Sequence, residues 1–185
     1  MRIGIDIDDT ITDTYYEILK FLCEEKNMNF ETLKNKNYNY DQIYDGCEGN
    51  PPMGQFIWDN FYRIIPNIQL KENVAQIMQK IIDDGNEIVI ITARNHAKPN
   101  QTQQYLKEKN IPYNKFYEGI KDKGRLAKEE NIDLFIDDSI KNCKQVDENN
   151  IKVLLFDAPY NKECQDYERV YNWDETYKII EKLNK

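Results

Sequence analysis

The opening residues Ile3-Gly4-Ile5-Asp6-Ile7-Asp8-Asp9-Thr10 constrain the fold more than any other stretch of the chain. From Ile3 to Ile7 apolar residues alternate with small or acidic ones, which is the pattern of a buried strand. The run then breaks into carboxylates and a threonine. Ligands of open parallel sheets bind outside the carboxyl ends of the strands, so acidic residues at that end point to chemistry. A strand buried in this way needs neighbours, and the rest of the chain supplies them.

Glu87 to Thr92 is a near-continuous apolar run, as expected of a strand covered on both faces. Further strands are predicted at Lys115 to Tyr117, Leu134 to Asp137 and Lys152 to Phe156. Helical spacing falls between them. Leu70 to Asp84 places Val74, Ile77, Met78, Ile81 and Ile82 on one face, with Gly85 as its stop. Helices are also predicted over Lys98 to Lys109, Asp122 to Glu130, Ile140 to Asn149 and Asp174 to Leu183. Strands alternating with helices imply βαβ crossovers, hence an α/β fold: a three-layer, Rossmann-like parallel sheet of about five strands.

The exception is the stretch of about 60 residues between the first strand and the helix before the second, far longer than one crossover needs. Residues 15–65 therefore read as a small helical cap inserted after strand one, leaving 1–14 and 66–185 as the core. The inserted part begins with a helix from Tyr15 to Lys26, for which Thr12 or Asp13 can serve as cap. Asn27 to Pro52 is irregular and rich in aromatics and turn formers. A short helix from Gly54 to Ile64, ended by Pro66, carries Phe56, Ile57, Trp58, Phe61 and Tyr62.

Composition excludes several classes. A net charge of −8 argues against gripping a nucleic acid polymer through phosphate neutralisation. It leaves room for a small phosphorylated substrate, because a metal ion can supply local positive charge. No stretch approaches the roughly 18 apolar residues of a membrane span, and Met1 leads straight into a strand rather than a signal peptide. Cys23, Cys47, Cys143 and Cys164 lie far apart with no CxxC pairing, which fits reduced thiols in the cytoplasm better than a zinc site. His96 is the sole histidine, so carboxylates must carry any acid–base work.

Three predicted strand ends place polar groups on one edge of the sheet: Asp6 and Asp8, Thr92, and Asp137 with Asp138. Two carboxylates about 4 Å apart repel by about 4 kcal/mol at an effective dielectric near 20, so the Asp137-Asp138 pair asks for a cation. In this order the strand ends resemble the four motifs of the haloacid dehalogenase superfamily of phosphotransferases. They stand here as Asp6-Ile7-Asp8-Asp9-Thr10, Ile90-Ile91-Thr92, a downstream lysine, and Ile136-Asp137-Asp138. Ile91-Thr92-Ala93-Arg94, the Phe-Ile-Trp-Asp-Asn-Phe-Tyr helix and the tail Phe156-Asp157-Ala158-Pro159-Tyr160-Asn161 resemble the bacterial branch of the 5′(3′)-deoxyribonucleotidase family.

That resemblance implies a Mg²⁺-dependent phosphatase working through an aspartyl-phosphate intermediate. Asp6 would be the nucleophile and Asp8 the acid–base, with a pKa raised by nearby carboxylates. Asp6, the Asp8 carbonyl and Asp137 would hold the metal, with Asp138 a supporting or alternative ligand. Thr92, Ala93 and Arg94 would bind phosphate. The motif lysine is placed at Lys123, at the start of its helix, with Lys121 the alternative and Lys128 read as solvated. Arg94 could brace the substrate phosphate, pair with a cap carboxylate, or be an exposed loop residue; His96 reads as incidental. Asp9 stands where a glycine is common in the superfamily, and reads as a turn cap.

Tyr15, Tyr16, Tyr40, Tyr44, Phe56, Trp58 and Phe61 are expected mostly to pack, with one or two facing the substrate. Cys143, Tyr171 and Trp173 are expected to be core or helix packing. The implied substrate is a nucleoside monophosphate, with a sugar or amine phosphate as the alternative. The oligomeric state is open, a dimer included. A phosphoacceptor signalling domain has similar residues but the acidic pair first and no second catalytic Asp two residues on. A silent binding module would not need every motif position filled.

Overall fold

The computed structural model of the chain describes residues 1–35, 53–95 and 98–184. The expectations placed on Tyr40, Tyr44, Cys47 and His96 fall outside the described residues.

The first strand, β1 (Arg2–Ile5), is central, and the alternation of its side chains organises both faces of the sheet. It pairs in parallel with β2 (Glu87–Ile91) on one side and β4 (Leu134–Asp137) on the other. β3 (Lys115–Tyr117) lies outside β2, and β5 (Lys152–Phe156) and β6 (Glu168–Val170) lie outside β4. The order is β3-β2-β1-β4-β5-β6. Chain direction across the sheet reverses beside β1, and at such a switch point the crevice for a ligand opens.

Period-two alternation divides the core into two layers. Ile3, Ile5, Ile88, Ile90, Leu134, Ile136, Leu154 and Phe156 join one cluster, with α5 (Val74–Asp83), α6 (Gln101–Glu108) and α9 (Trp173–Leu183). Val89, Ile91, Phe135, Val153 and Leu155 join the other, with α7 (Lys123–Glu129) and α8 (Ile140–Asp147). Gly4 sits where Phe135 crosses β1: a Cβ there would lie 2.4 Å from the Phe135 ring.

Among the described residues, the helices between β1 and α5 are α1 (Thr14–Lys26), α2 (Phe30–Asn35), α3 (Met53–Asp59) and α4 (Phe61–Ile64), followed by a 3₁₀ turn at Ile65–Asn67. The chain leaves and re-enters the core through one antiparallel tie. Thr12 bridges Leu70, Asp13 N donates to Gln69 O at 2.9 Å and Lys71 N to Ile11 O at 2.9 Å.

Several boundaries differ from expectation. The sheet has six strands rather than about five, because Glu168-Arg169-Val170 contains too little apolar character to read as a strand; its edge position explains that. The helix expected from Leu70 begins at Val74, since Leu70 and Lys71 are taken up by the tie and Asn73 turns the chain at φ 59°. The helix expected over Gly54 to Ile64 breaks at Asn60, whose side-chain amide donates to Phe56 O at 2.8 Å. Asp13 flanks α1 without capping it and pairs instead with Lys71 at 2.8 Å. Trp173 and Cys143 are fully buried, whereas Tyr171 is 63% exposed and packs no core.

α7 and α8 approach so closely that a Cβ on Gly124 would lie 2.0 Å from Gln145 O, a backbone atom that cannot swing aside. This contact seats Lys123, the first residue of α7. Gly124→Ala should lower stability by about 3 kcal/mol, the upper part of the usual range for overpacking. A fall in the denaturation midpoint with an unchanged slope checks this.

Candidate active site

The register of β1 against β4 brings two acidic strand ends together. Asp6 N donates to Ile136 O at 3.0 Å, extending the β1–β4 ladder by one residue and placing Asp6 beside Asp137 and Asp138. All three are buried, and each offers a carboxylate oxygen lying within 4.8 Å of the others'. Lys123 lies between two of them. Its Nζ is 2.7 Å from Asp6 Oδ1 and 2.8 Å from Asp137 Oδ2, and the side chain is 1% exposed. Lys121 and Lys128 are exposed, so Lys123 is the lysine that the fold delivers to the cluster.

After Asp6 the chain turns sharply. Ile7 O accepts from the backbone N–H of Thr10, Ile11 and Thr12 and from Thr12 Oγ1. This turn sends Asp8 across to β2, where Arg94 meets it. Arg94 Nη2 is 2.6 Å from Asp8 Oδ1 and Nε is 2.9 Å from Oδ2, while Thr14 Oγ1 donates to Asp8 Oδ1 at 2.7 Å. Arg94 is neither an exposed loop residue nor paired with a cap carboxylate. It is 1% exposed, with its guanidinium 5.1 Å from the Phe61 ring centre. Among the described residues its Nη1 has no hydrogen-bond partner.

A cavity of about 270 Å³ opens over these groups. Asp6, Asp8, Ala93, Arg94, Lys123 and Asp138 line it together with Trp58, Lys141, Asn142 and Tyr160. Thr92 is fully buried behind this wall, its Oγ1 accepting from Arg94 N at 3.2 Å. Asp137 is likewise behind it, held by Ser139 N at 2.8 Å and by Asn142 Nδ2 at 3.2 Å from each oxygen. Among the aromatics expected in the cap, Trp58 lines the cavity, whereas Phe56 stacks on Phe21 and Phe61 lies under Arg94.

The charges do not behave alike. Burial lifts the Asp6 carboxyl to about 7, a rise that Lys123 opposes and that Asp137 and Asp8 reinforce. Burial and the charges of Asp137, Asp9 and Asp6 hold Asp138 well above the usual carboxylate range. Lys123 is raised, because Asp137 and Asp6 outweigh the burial that alone would lower it. Asp8 departs from expectation. Burial would raise it, but the charge and hydrogen bonds of Arg94 prevail and its pKa is lowered. Its buried counterion, and not the neighbouring carboxylates, decides the sign.

The cluster fits a hard divalent cation. Among the described residues, the carboxylates of Asp6, Asp8, Asp137 and Asp138 outnumber the two cations, Lys123 and Arg94, seen in contact with them. Asp6 Oδ1 is met by Lys123 Nζ at 2.7 Å and, among the described residues, by no further donor. Oxygen donors of this kind suit Mg²⁺. Sequence reasoning gave no role to Tyr160, Asn161 or Asn142, although the quoted tail follows a strand that ends on the same edge.

The family model for 5′ nucleotidase, deoxy (pyrimidine), cytosolic type C protein (NT5C) matches residues 1–184. The chain belongs to this family. It is a phosphoric monoester hydrolase of the haloacid dehalogenase superfamily, a nucleotidase by descent. A nucleotidase of Clostridium acetobutylicum is 34% identical over 99% of this chain and 95% of its own length. The fold is that of a predicted phosphatase from the same organism, at TM-score 0.72, 15% identity and 98% coverage of each chain. A HAD-superfamily hydrolase of Bacillus subtilis, solved bound to magnesium, aligns at TM-score 0.65 with 15% identity, over 97% of this chain and 98% of its own.

An acid with a raised folded-state pKa keeps its proton longer in the native protein. Its contribution to stability is therefore greatest below the unfolded value, near 4, and declines as pH rises through about 7. In EDTA, Asp6→Asn, which never ionises, should gain stability relative to the unmodified chain between these limits. Chemical denaturation at a series of pH values reads the difference, and a constant difference would contradict the assignment.

Proposed function

We propose that the enzyme hydrolyses small phosphomonoesters, nucleoside monophosphates foremost, by way of a phosphorylated Asp6. The observation that carries this reading is the placement of Asp6 and Asp8 on one cavity, each with a buried cation of its own. A single carboxylate can serve as nucleophile only if the repulsion between it and a phosphoryl dianion is offset, and Lys123 stands beside Asp6 for that purpose.

In the first half-reaction an Asp6 oxygen bonds to phosphorus as the ester P–O bond breaks, and Asp8 gives the departing alkoxide a proton. In the second, Asp8 takes a proton from water, the water oxygen bonds to phosphorus, and the bond to Asp6 breaks to release inorganic phosphate. Asp8 at rest is ionised and clasped by Arg94, so it must be protonated for the first step. Arg94 supplies the means: among the described residues Nη1 has no hydrogen-bond partner, and the side chain lines the cavity, so a monoanionic phosphate ester can engage it, loosen its hold on Asp8 and leave its own proton on the freed carboxylate. Ala93 and Arg94 form the phosphate-binding turn. Thr92 steadies that turn from behind the cavity wall through its bond from Arg94 N.

Asp6, the Asp8 carbonyl, Asp137 and Asp138 would hold Mg²⁺, which when bound offsets phosphoryl charge. The magnesium-bound relative from B. subtilis supports that choice. The described parts of the stretch expected as a cap, 15–35 and 53–65, cover the site, and Trp58 presents its ring to the base of the substrate. The net charge of −8 disfavours a polymeric nucleic acid partner. No helix among the described residues is long and apolar enough to cross a membrane, and Cys23, Cys143 and Cys164 are free thiols, which fits a reducing cytoplasm.

Asp6→Asn should reduce phosphate release from nucleoside monophosphates by several orders of magnitude while the far-UV spectrum is kept. EDTA should silence the unmodified chain and Mg²⁺ restore it. Normal turnover by Asp6→Asn would overturn the mechanism. A profile without nucleotide preference would instead leave a phosphatase for another small ester, such as a sugar or amine phosphate.

Stacking of a base on an aromatic ring is worth about 1–3 kcal/mol, or roughly 5- to 150-fold in affinity. Trp58→Leu should raise KM for nucleoside monophosphates within that range and leave KM for glycerol phosphate, which has no ring, unchanged. Equal changes for both esters would remove Trp58 from base recognition.

A further inference from the structure

A tyrosine from the tail reaches into the acidic cluster, and the turn carrying it is fastened from both sides. Asn161 Nδ2 donates to Asp138 O at 2.7 Å and to Phe156 O at 2.8 Å, while Asn161 Oδ1 accepts from Ala158 N at 3.1 Å. Arg169 donates to Asp157 Oδ1, Asn161 Oδ1, Asn161 O and Cys164 O. The Tyr160 ring packs against Tyr15, with centroids 5.4 Å apart. So held, the Tyr160 hydroxyl lies between two carboxylates and shares its single proton between them: 2.7 Å from Asp9 Oδ2, and in contact with Asp138 Oδ2.

Asp9 has φ +53°, a left-handed conformation that costs an ordinary residue roughly 1–2 kcal/mol and that Asp tolerates better than most. That conformation is tied down by its own side chain, since Asp9 Oδ1 accepts from Tyr15 N at 2.9 Å. The other oxygen is thereby aimed at Tyr160. On the far side, Thr10 Oγ1 donates to Asp138 Oδ1 at 3.2 Å. Both oxygens of Asp138 are therefore gripped by neutral hydroxyls.

We propose that Tyr160 is a positioning residue that presets the Asp138 carboxylate as one edge of a divalent-cation site, with Asp9 as its anchor. The inference rests on the reading of Asp6, Asp137 and Asp138 as that site. Left alone, Asp138 would rotate away from two neighbouring carboxylates. A lysine in place of Tyr160 would hold it, but would also cancel the charge that attracts the cation. A phenol fixes the orientation and leaves the charge in place, as expected of a group that supports a metal ligand.

Calorimetric titration of Mg²⁺ into EDTA-stripped protein tests this, paired with thermal melts of the same metal-free samples. Tyr160→Phe keeps the ring on Tyr15 and should weaken Mg²⁺ binding about tenfold or more, the usual effect of losing such a support, with the melting temperature unchanged. Asp9→Asn tolerates the same backbone conformation, and its amide can donate to the phenol oxygen, freeing the hydroxyl proton for Asp138. Its affinity should stay close to that of the unmodified chain. Unchanged Mg²⁺ affinity in Tyr160→Phe would overturn the proposal, as would a loss matched by a lowered melting temperature, which marks a merely structural role. An Asp9→Asn protein as weak as Tyr160→Phe would also overturn it, by removing the hydrogen-bond relay. Failure of the unmodified chain to bind Mg²⁺ would overturn the cation reading itself, a result distinct from the others.

Discussion

The ion pairing of Lys123 with Asp6 and Asp137 is the interaction on which the rest of the site depends. Parallel strands in register bring their carboxyl ends to one line, and here two of those ends are acidic. Burying like charges side by side is costly, and a buried ion pair is tolerated only where geometry and further hydrogen bonds satisfy its members. Asp137 accepts from Ser139 and Asn142 as well as from Lys123. Gly124 completes the arrangement, because its lack of a side chain lets α7 come close enough to α8 to bury the lysine.

A second pairing, Asp8 with Arg94, divides the carboxylates into two kinds. Asp6 and Asp138 lie where burial and like charges favour the proton, whereas Asp8 lies where a guanidinium favours the anion. The same Arg94 rests on the Phe61 ring, so α4 meets the end of β2 at the group that holds Asp8. Two networks of neutral hydroxyls and amides, around Asp137 and around Asp138, complete the set and orient the carboxylates without neutralising them.

Much of the fold was legible because burial on both faces of a parallel strand leaves long apolar runs, as at Ile88 to Ile91 and Leu134 to Ile136. Elements at the margins were not. β6 is three residues at the sheet edge, and Val170 is its one buried residue. Leu70 continues the apolar spacing of α5 but is claimed by the tie to Thr12. Within the site, Asp6, Asp8, Thr92, Asp137 and Asp138 could be singled out as strand-end polar residues, whereas Lys123 was singled out over Lys121 only through the family resemblance. Tyr160 could not, because an aromatic in a loop looks alike whether it packs or donates a hydrogen bond.

The amino-acid order alone determined the class of fold, the edge of the sheet that carries chemistry and the kinds of group available there. Those follow from local periodicity and from where each apolar run breaks. Only the tertiary structure decided the electrostatic character of each group. Asp8 and Arg94 are 86 positions apart, and Tyr160 is 151 from Asp9. The energies that set a proton's place depend on distances of a few ångströms in a medium of low dielectric, and such distances exist only once strands have paired and helices have packed.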